Sequence, residues 1–385
     1  MRIAIFTETF LPKQDGIVSV LCLFIQHLKA QGVDLVIICP HLGADEPLTS
    51  YEGFPVWTVN GVTFPLYPEL KLCWVTPGIY SKLKAFQPDL VHLFHPLLVG
   101  LPGFLMAKKL GLPIVTSFHV DYSKLVQHYG LSFLTGFTNW ATRVIFNHSD
   151  LGLAPSRWVQ NYLNEIGVQP GRVHLWRRGV DLAAYSPDYY DASLRETLSQ
   201  GAPDAPLLLY VGRLGPEKRI EDLQVVMEAM PQLRLAIVGD GPSRPALEAL
   251  FDPARTYFTG YLTGKALSSA YASADLFVFP SALETFGLVV LEAMASGLPV
   301  VASRVGGVPD VIMEGERGYS FEIGDQKGLI EGVQKAICDP THYAYLKEQA
   351  YAFALTQSWE SMHDEVIDHY QGLIKTQKSA QLVAR

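Results

Sequence analysis

The strongest constraint on this chain is a rhythm that occurs twice. In the first half, Arg2–Phe6 is a short apolar run, Gly16 to Gln31 has helical spacing, and Val33–Cys39 is apolar and β-branched again. Leu90–Leu93, a helix-like Leu98–Leu110 and the strand-like Pro113–Phe118 continue the pattern. It restarts after a polar stretch near residues 186–206. There Leu207–Val211, Leu233–Val238, Asp275–Phe279 and Pro299–Ala302 read as strands, with helices over Ile220–Met230 and Gly287–Ser296. Strands alternating with helices over such lengths build parallel sheets covered on both faces. The expectation is an α/β chain of two doubly wound, Rossmann-like domains, residues 1–182 and 206–357, joined by a linker over 183–205. Residues 358–385 are expected to form a helix that crosses back to the first domain. Ligands of such sheets bind beyond the carboxyl ends of the strands, where the strand order reverses. Two sheets facing across a cleft would share one ligand site.

Composition excludes several other classes. With 49% apolar and 18% charged residues over 385 positions, the chain can bury enough surface to offset the entropy of ordering it. No apolar run reaches the ~18–20 residues of a membrane span; the longest, Leu93–Ala107, is broken by His95, Pro96, Gly100, Pro102 and Gly103. No secretory signal is visible, and Cys22, Cys39, Cys73 and Cys338 are scattered, as buried reduced thiols of a cytoplasmic protein would be. The net charge of −8 argues against nucleic acid as a partner. That charge is uneven: residues 1–182 hold 14 basic and 12 acidic side chains, the remainder 16 and 26. One half can therefore lean on an anionic surface.

Three stretches carry chemistry. Glu284 lies in the loop after a strand and Glu292 inside the following helix, with the first-turn amides of Phe286, Gly287, Leu288 and Val289 between them. Two carboxylates around the free donors of a helix N-terminus suit a ligand with both hydroxyls and phosphates, such as a nucleotide sugar. Arg213 and Lys218, in the loop after Leu207–Val211, offer a planar fork and a point charge to a diphosphate; singly, each would read as a surface charge. The segment Glu8–Gly16 ends in a glycine at a helix start, where backbone can approach a phosphate or sugar, and Asp15 equally suits an N-cap.

These residues resemble the family-4 glycosyltransferases of the GT-B fold. The likeness is carried by the Glu284/Glu292 pair, Gly212–Lys218, Val238-Gly239-Asp-Gly-Pro242, His119 after a strand, Gly179-Val-Asp181, Ala293–Val301 and Ser358-Trp-Glu360. The resemblance implies a sugar-nucleotide donor, retention of anomeric configuration and no cofactor or required metal. It further implies that Arg213 and Lys218 bind the diphosphate, Glu292 the ribose hydroxyls and Glu284 the donor sugar. Gly16, Gly239 and the amides of Phe286 to Val289 would complete the anion site, Tyr261 and Leu262 would face the base, and His119 would contact the sugar near its reacting carbon. A lone histidine after a strand is otherwise a satisfied polar residue.

Within the family the chain is similar to the sulfolipid synthases, which move sulfoquinovose from a UDP-sugar to diacylglycerol. Phe6–Lys13, Phe64–Leu72, Gln127–Gly130 and Trp176–Asp181 carry that likeness, whereas Phe118–Lys124 departs from the His-Thr-His run of those enzymes. Mannosyltransferases share the Arg178-Gly-Val-Asp181 pattern. An anionic sugar would reward cations at Lys13, Arg177 and Arg178, although the arginine pair could equally bridge to acidic residues. Residues 64–80 and 122–146 are rich in aromatics, with Lys124, Arg143 and Arg157 flanking the second stretch, and suit a surface that docks on the cytosolic face of a membrane and admits a lipid acceptor; core packing leaves part of the same signature. Three rivals are weaker. A dinucleotide-dependent oxidoreductase lacks the third glycine after Gly239-Asp-Gly241. A sugar-nucleotide epimerase needs no apolar acceptor groove, and a non-catalytic sugar-binding scaffold needs no assembled Arg213, Lys218, Glu284 and Glu292.

Overall fold

The computed structural model describes residues 1–383 except 14–15, 42–45, 65–66, 74–76, 129 and 285, and it describes no side chains at 62–77, 125, 128 and 380–383. The chain divides into two compact units, one of Met1–Arg177 with His363–Arg385 and one of Arg178–Met362.

The first unit is built on β1 (Arg2–Phe6), β2 (Asp34–Pro40), β3 (Ser50–Tyr51), β4 (Phe54–Val59), β7 (Leu90–Leu93), β8 (Ile114–Ser117), β9 (Leu151–Ala154) and β10 (Val173–Leu175); β5 (Gly61–Phe64) and β6 (Tyr67–Cys73) form a separate hairpin. The sheet order is β10-β9-β8-β7-β1-β2-β4-β3, parallel except for the short edge strand β3. Its central strands are covered on both faces, which is why β1, β7, β8 and β9 read as unbroken buried runs rather than as alternating ones. The strand order reverses between β1 and β7.

The second unit has six strands: β11 (Leu207–Val211), β12 (Arg234–Val238), β13 (Thr256–Gly260), β14 (Leu276–Phe279), β15 (Val300–Ser303) and β16 (Gly318–Phe321). All pair in parallel in the order β13-β12-β11-β14-β15-β16, so the reversal falls between β11 and β14. Both domains are therefore Rossmann-like parallel α/β layers.

Two expectations need correction, and one motif gains a structural account. Residues 183–205 are no bare linker. They contain the helix Ala192–Leu198, N-capped by Asp191, and Leu198 is fully buried in the second core. Arg195 fixes the segment by bonding Asp275 at 2.8 Å and the carbonyls of Pro203, Ser273 and Ala205. A polar composition hid a segment whose arginine satisfies carbonyls that would otherwise need water. Gly179-Val-Asp181 has a structural job: a Cβ on Gly179 would lie 2.5 Å from the Trp359 nitrogen, and the Val180 amide donates to Gln357 O at 2.8 Å. Asp181 then caps the amides of Ala183 and Ala184, at 3.0 Å each. Finally, Cys39 is buried but Cys22 is only half-buried and Cys338 is exposed.

Candidate active site

In the second unit the loops after β11 and β14 meet at the strand-order reversal. The Ala282 amide donates to Glu217 O at 2.8 Å and ties the two loops together. This brings the half-buried Lys218 against Glu284, with Nζ 3.1 Å from Oε2 and 3.4 Å from Leu283 O. The same ammonium sits 5.4 Å from the centre of the Phe279 ring. Arg213, more exposed, pairs with Glu217 at 2.6 Å.

Backbone packing explains the glycines. A Cβ on Gly239 would fall 1.9 Å from the Gly212 carbonyl oxygen, because the loops after β11 and β12 are hydrogen-bonded side by side. Gly287 takes the left-handed conformation, at φ 85°, as it opens the helix Leu288–Ala295. Among the described residues no side chain caps that helix, and its first amides, at Leu288 and Val289, present as donors beside Lys218 and Glu284.

Glu292 lies a turn further along. The Tyr271 hydroxyl donates to it at 2.8 Å and Tyr185 also bonds to it, while burial pushes its carboxyl above the usual range. Tyr261 is exposed, its hydroxyl 3.3 Å from Asp240 O, and Leu262 is half-buried beside it in sequence. Sequence reasoning missed both tyrosine partners of Glu292. Tyr185 belongs to the segment read as linker, and no local pattern links either ring to a glutamate.

In the first unit, Gly16 begins the helix Gly16–Ala30 and is exposed; a Cβ there meets nothing within 4 Å, so packing does not demand the glycine. Lys13 is half-buried in the preceding loop, while Asp15 lies outside the described residues. The two arginines differ sharply: Arg177 is exposed, whereas Arg178 is buried and its guanidinium is pushed down to about 10 by desolvation.

His119 follows β8 and is buried, stacked on Phe94 with ring centres 3.8 Å apart. Its Nε2 is 2.9 Å from Ser117 Oγ. Beside the end of β1, Glu8 is buried as well: Tyr122 donates to one carboxylate oxygen at 2.6 Å and the Leu98 amide to the other. Burial pushes this carboxyl up to about 7. At the carboxyl ends of β1 and β2, Leu11, Pro12, Cys39, Pro40, Leu48 and Thr58 line a mostly apolar cavity with His41 and Glu46.

These two sheets and their loops resemble known proteins across the whole chain. A profile described as Glycosyltransferase Family 4 matches residues 14–184, and one described as Glycosyl transferases group 1 matches 198–353. Sulfoquinovosyl transferase SQD2 of Arabidopsis thaliana is 37% identical over 321 residues, 82% of this chain; the match spans only 62% of that protein's length. A GDP-mannose-dependent alpha-mannosyltransferase of Mycolicibacterium smegmatis is 36% identical over 379 residues, covering 97% of this chain and 98% of its own. Among solved structures, Anabaena Alr3699/HepE in complex with UDP has a TM-score of 0.77 at 21% identity, covering 97% of this chain and 100% of that one. The fold is thus that of a GT-B glycosyltransferase. The chain belongs to the family-4, group 1 glycosyltransferases.

Proposed function

We propose that the chain is a retaining, metal-independent glycosyltransferase that moves sulfoquinovose from a UDP-sugar to diacylglycerol, working peripherally at the cytosolic face of a membrane. The observation that carries the donor half is the cluster at the β11/β14 reversal: an ammonium, a carboxylate 3.1 Å from it, and an uncapped helix start. As the bond from the anomeric carbon to the diphosphate breaks, charge gathers on the leaving oxygen. Lys218, the amides of Leu288 and Val289, and Arg213 (exchanging Glu217 for phosphate) stabilise it without reorganising solvent. The acceptor oxygen bonds the anomeric carbon on the face the diphosphate leaves. Its proton passes to the leaving phosphate oxygen, yielding glycoside and UDP. Glu284 holds a sugar hydroxyl, Glu292 the ribose, Tyr261 and Leu262 the base, and Gly239 the backbone fit of the loop. In the first unit, Gly16 and His119 serve the reacting end of the donor.

A sulfonate would meet the half-buried Lys13 and the exposed Arg177, whereas Arg178 is buried. A lipid acceptor is supported by three outward aromatics near the helix Thr135–His148: Phe133, Phe137 and Trp140 are 79%, 60% and 51% exposed. The apolar cavity at the ends of β1 and β2 suits the same acceptor. No described helix is long and apolar enough to cross a membrane. Of the aromatic stretches, 64–77 lies outside the described side chains.

The mannosyltransferase relative, matched over nearly its full length, favours a second reading with GDP-mannose as donor. Offering UDP-sulfoquinovose, UDP-glucose, UDP-glucuronate and GDP-mannose separately to the protein with diacylglycerol vesicles decides between them. We expect transfer from UDP-sulfoquinovose, undiminished by a chelator. Transfer from GDP-mannose alone would overturn the sulfolipid reading.

A further inference from the structure

His119 is one end of a buried chain of hydrogen bonds that leads away from the site. Its Nε2 lies 2.9 Å from Ser117 Oγ, the same Oγ lies 2.8 Å from His92 Nε2, and His92 Nδ1 lies 2.6 Å from the Tyr370 hydroxyl. Ser117, His92 and Tyr370 are all at most 1% exposed. Tyr370 comes from the C-terminal helix Trp359–Val383, 278 residues from His92.

The direction of this chain follows from hydrogen counting. Tyr370 keeps its proton, because burial holds the phenol well above its ordinary value, and His92 is neutral, pushed down to about 3 by burial with His95 adding to the effect. A neutral imidazole donates from one nitrogen and accepts at the other. Among the described residues the Tyr370 hydroxyl has no acceptor besides His92, and a buried hydroxyl left unpaired is costly. Tyr370 must therefore donate to His92 Nδ1. His92 then carries its hydrogen on Nε2 and donates to Ser117 Oγ, whose single hydrogen turns to His119 Nε2. The reverse direction would strand the phenolic proton.

We propose that Tyr370 is a positioning residue which, through His92 and Ser117, fixes the tautomer of His119, with Nε2 as acceptor and the hydrogen on Nδ1. Phe94, stacked on the ring, and Trp176, 5.6 Å away and edge-on, fix its plane. The ring hydrogen of the histidine is thus placed on Nδ1 from the far end of the sequence. The catalytic consequence rests on the reading of His119 as a site residue; the tautomer itself does not.

The test is nitrogen-15 NMR of histidine-labelled full-length protein, with the His119 ring signals assigned by their absence from His119→Gln. We expect the Nδ1–H form in the parent at pH 8. In Tyr370→Phe and in Ser117→Ala a substantial Nε2–H population emerges. In both variants transfer falls about tenfold with donor KM unchanged, a fraction of what a complete proton-transfer group contributes. An Nε2–H form in the parent, or an undisturbed Nδ1–H form in both variants, overturns the proposal. Should Tyr370→Phe fail to fold, Ser117→Ala breaks the chain at its other end and decides alone. Full transfer by His119→Ala would overturn the site reading of His119 while leaving the tautomer result standing.

Discussion

Two carboxylates show how differently one residue type is used here. Glu284 forms an ion pair with Lys218 whose side chains are 21% and 17% exposed. Breaking a pair that water still reaches costs about 1 kcal/mol, a shift of a few degrees in melting temperature for a unit of this size. Removing a cation with the role proposed for Lys218 and Arg213 at a leaving diphosphate costs far more in rate, about 10²–10³-fold. Lys218→Ala, Arg213→Ala and Glu284→Ala are thus expected to lose transfer while melting close to the parent. A large drop in melting temperature in any of them would assign that residue a structural role. Glu8, by contrast, is fully enclosed, and its carboxyl is raised from 4.5 to about 7 by burial. The folded state binds this proton more tightly than the unfolded chain. Its stabilisation is fully present below about pH 4.5 and fades as pH rises through 7, a loss of about 3 kcal/mol. Glu8→Gln, whose amide can still pair with Tyr122 and the Leu98 amide, should match the parent in denaturant titrations at pH 4.5 and exceed it at pH 8. An equal difference at both pH values would refute the linkage. The partner that holds Glu8 stands 114 residues away, so nothing in the local pattern around Glu8 marked it as buried.

At the scale of elements, what the sequence revealed depended on whether a segment's own residues decide its form. Strands buried on both faces, such as Leu207–Val211, announce themselves as continuous apolar runs and were legible to the residue. The loops at the β11/β14 reversal were legible too, because glycines and charges there answer to short-range backbone geometry. The helix Ala192–Leu198 was not, since its place depends on Arg195 reaching Asp275, 80 residues on. Nor could composition say which side of the helix Thr135–His148 faces inward. The structure buries Thr138, Thr142, Ile145 and Phe146 and leaves Phe137 and Trp140 outside, with ring centres 5.9 Å apart. An outward aromatic pair on a helix whose inner face is half threonine is an inversion of ordinary amphipathic design, and it favours a lipid-facing role. Phe137→Ser with Trp140→Ser should weaken sedimentation with anionic vesicles severalfold at unchanged melting temperature. Unchanged sedimentation would remove this helix from the proposed membrane-binding surface.

The whole molecule holds separate hydrophobic cores, one in the second unit and others in the first. Yet the first unit is not complete when the chain leaves it at Arg177; residues 363–385 return to it after the second unit has been made. That return is substantial packing. Val366, Ile367, Tyr370 and Ile374 are all buried, and Tyr370 lies edge-on to Phe24 and His92 with ring centres 6.2 and 5.8 Å away. Deleting four such side chains at about 2–5 kcal/mol each removes as much as the about 5–15 kcal/mol that holds a domain folded. A chain ending at Met362 should therefore lose the first unit and keep the second, whose own core contains none of these residues. Limited proteolysis of the truncated protein is expected to leave a resistant fragment beginning near Arg178, with the β1–β10 region digested. If residues 1–177 resist digestion instead, their sheet is self-sufficient, and the helix serves to hold Tyr370 beneath His92 rather than to close the core.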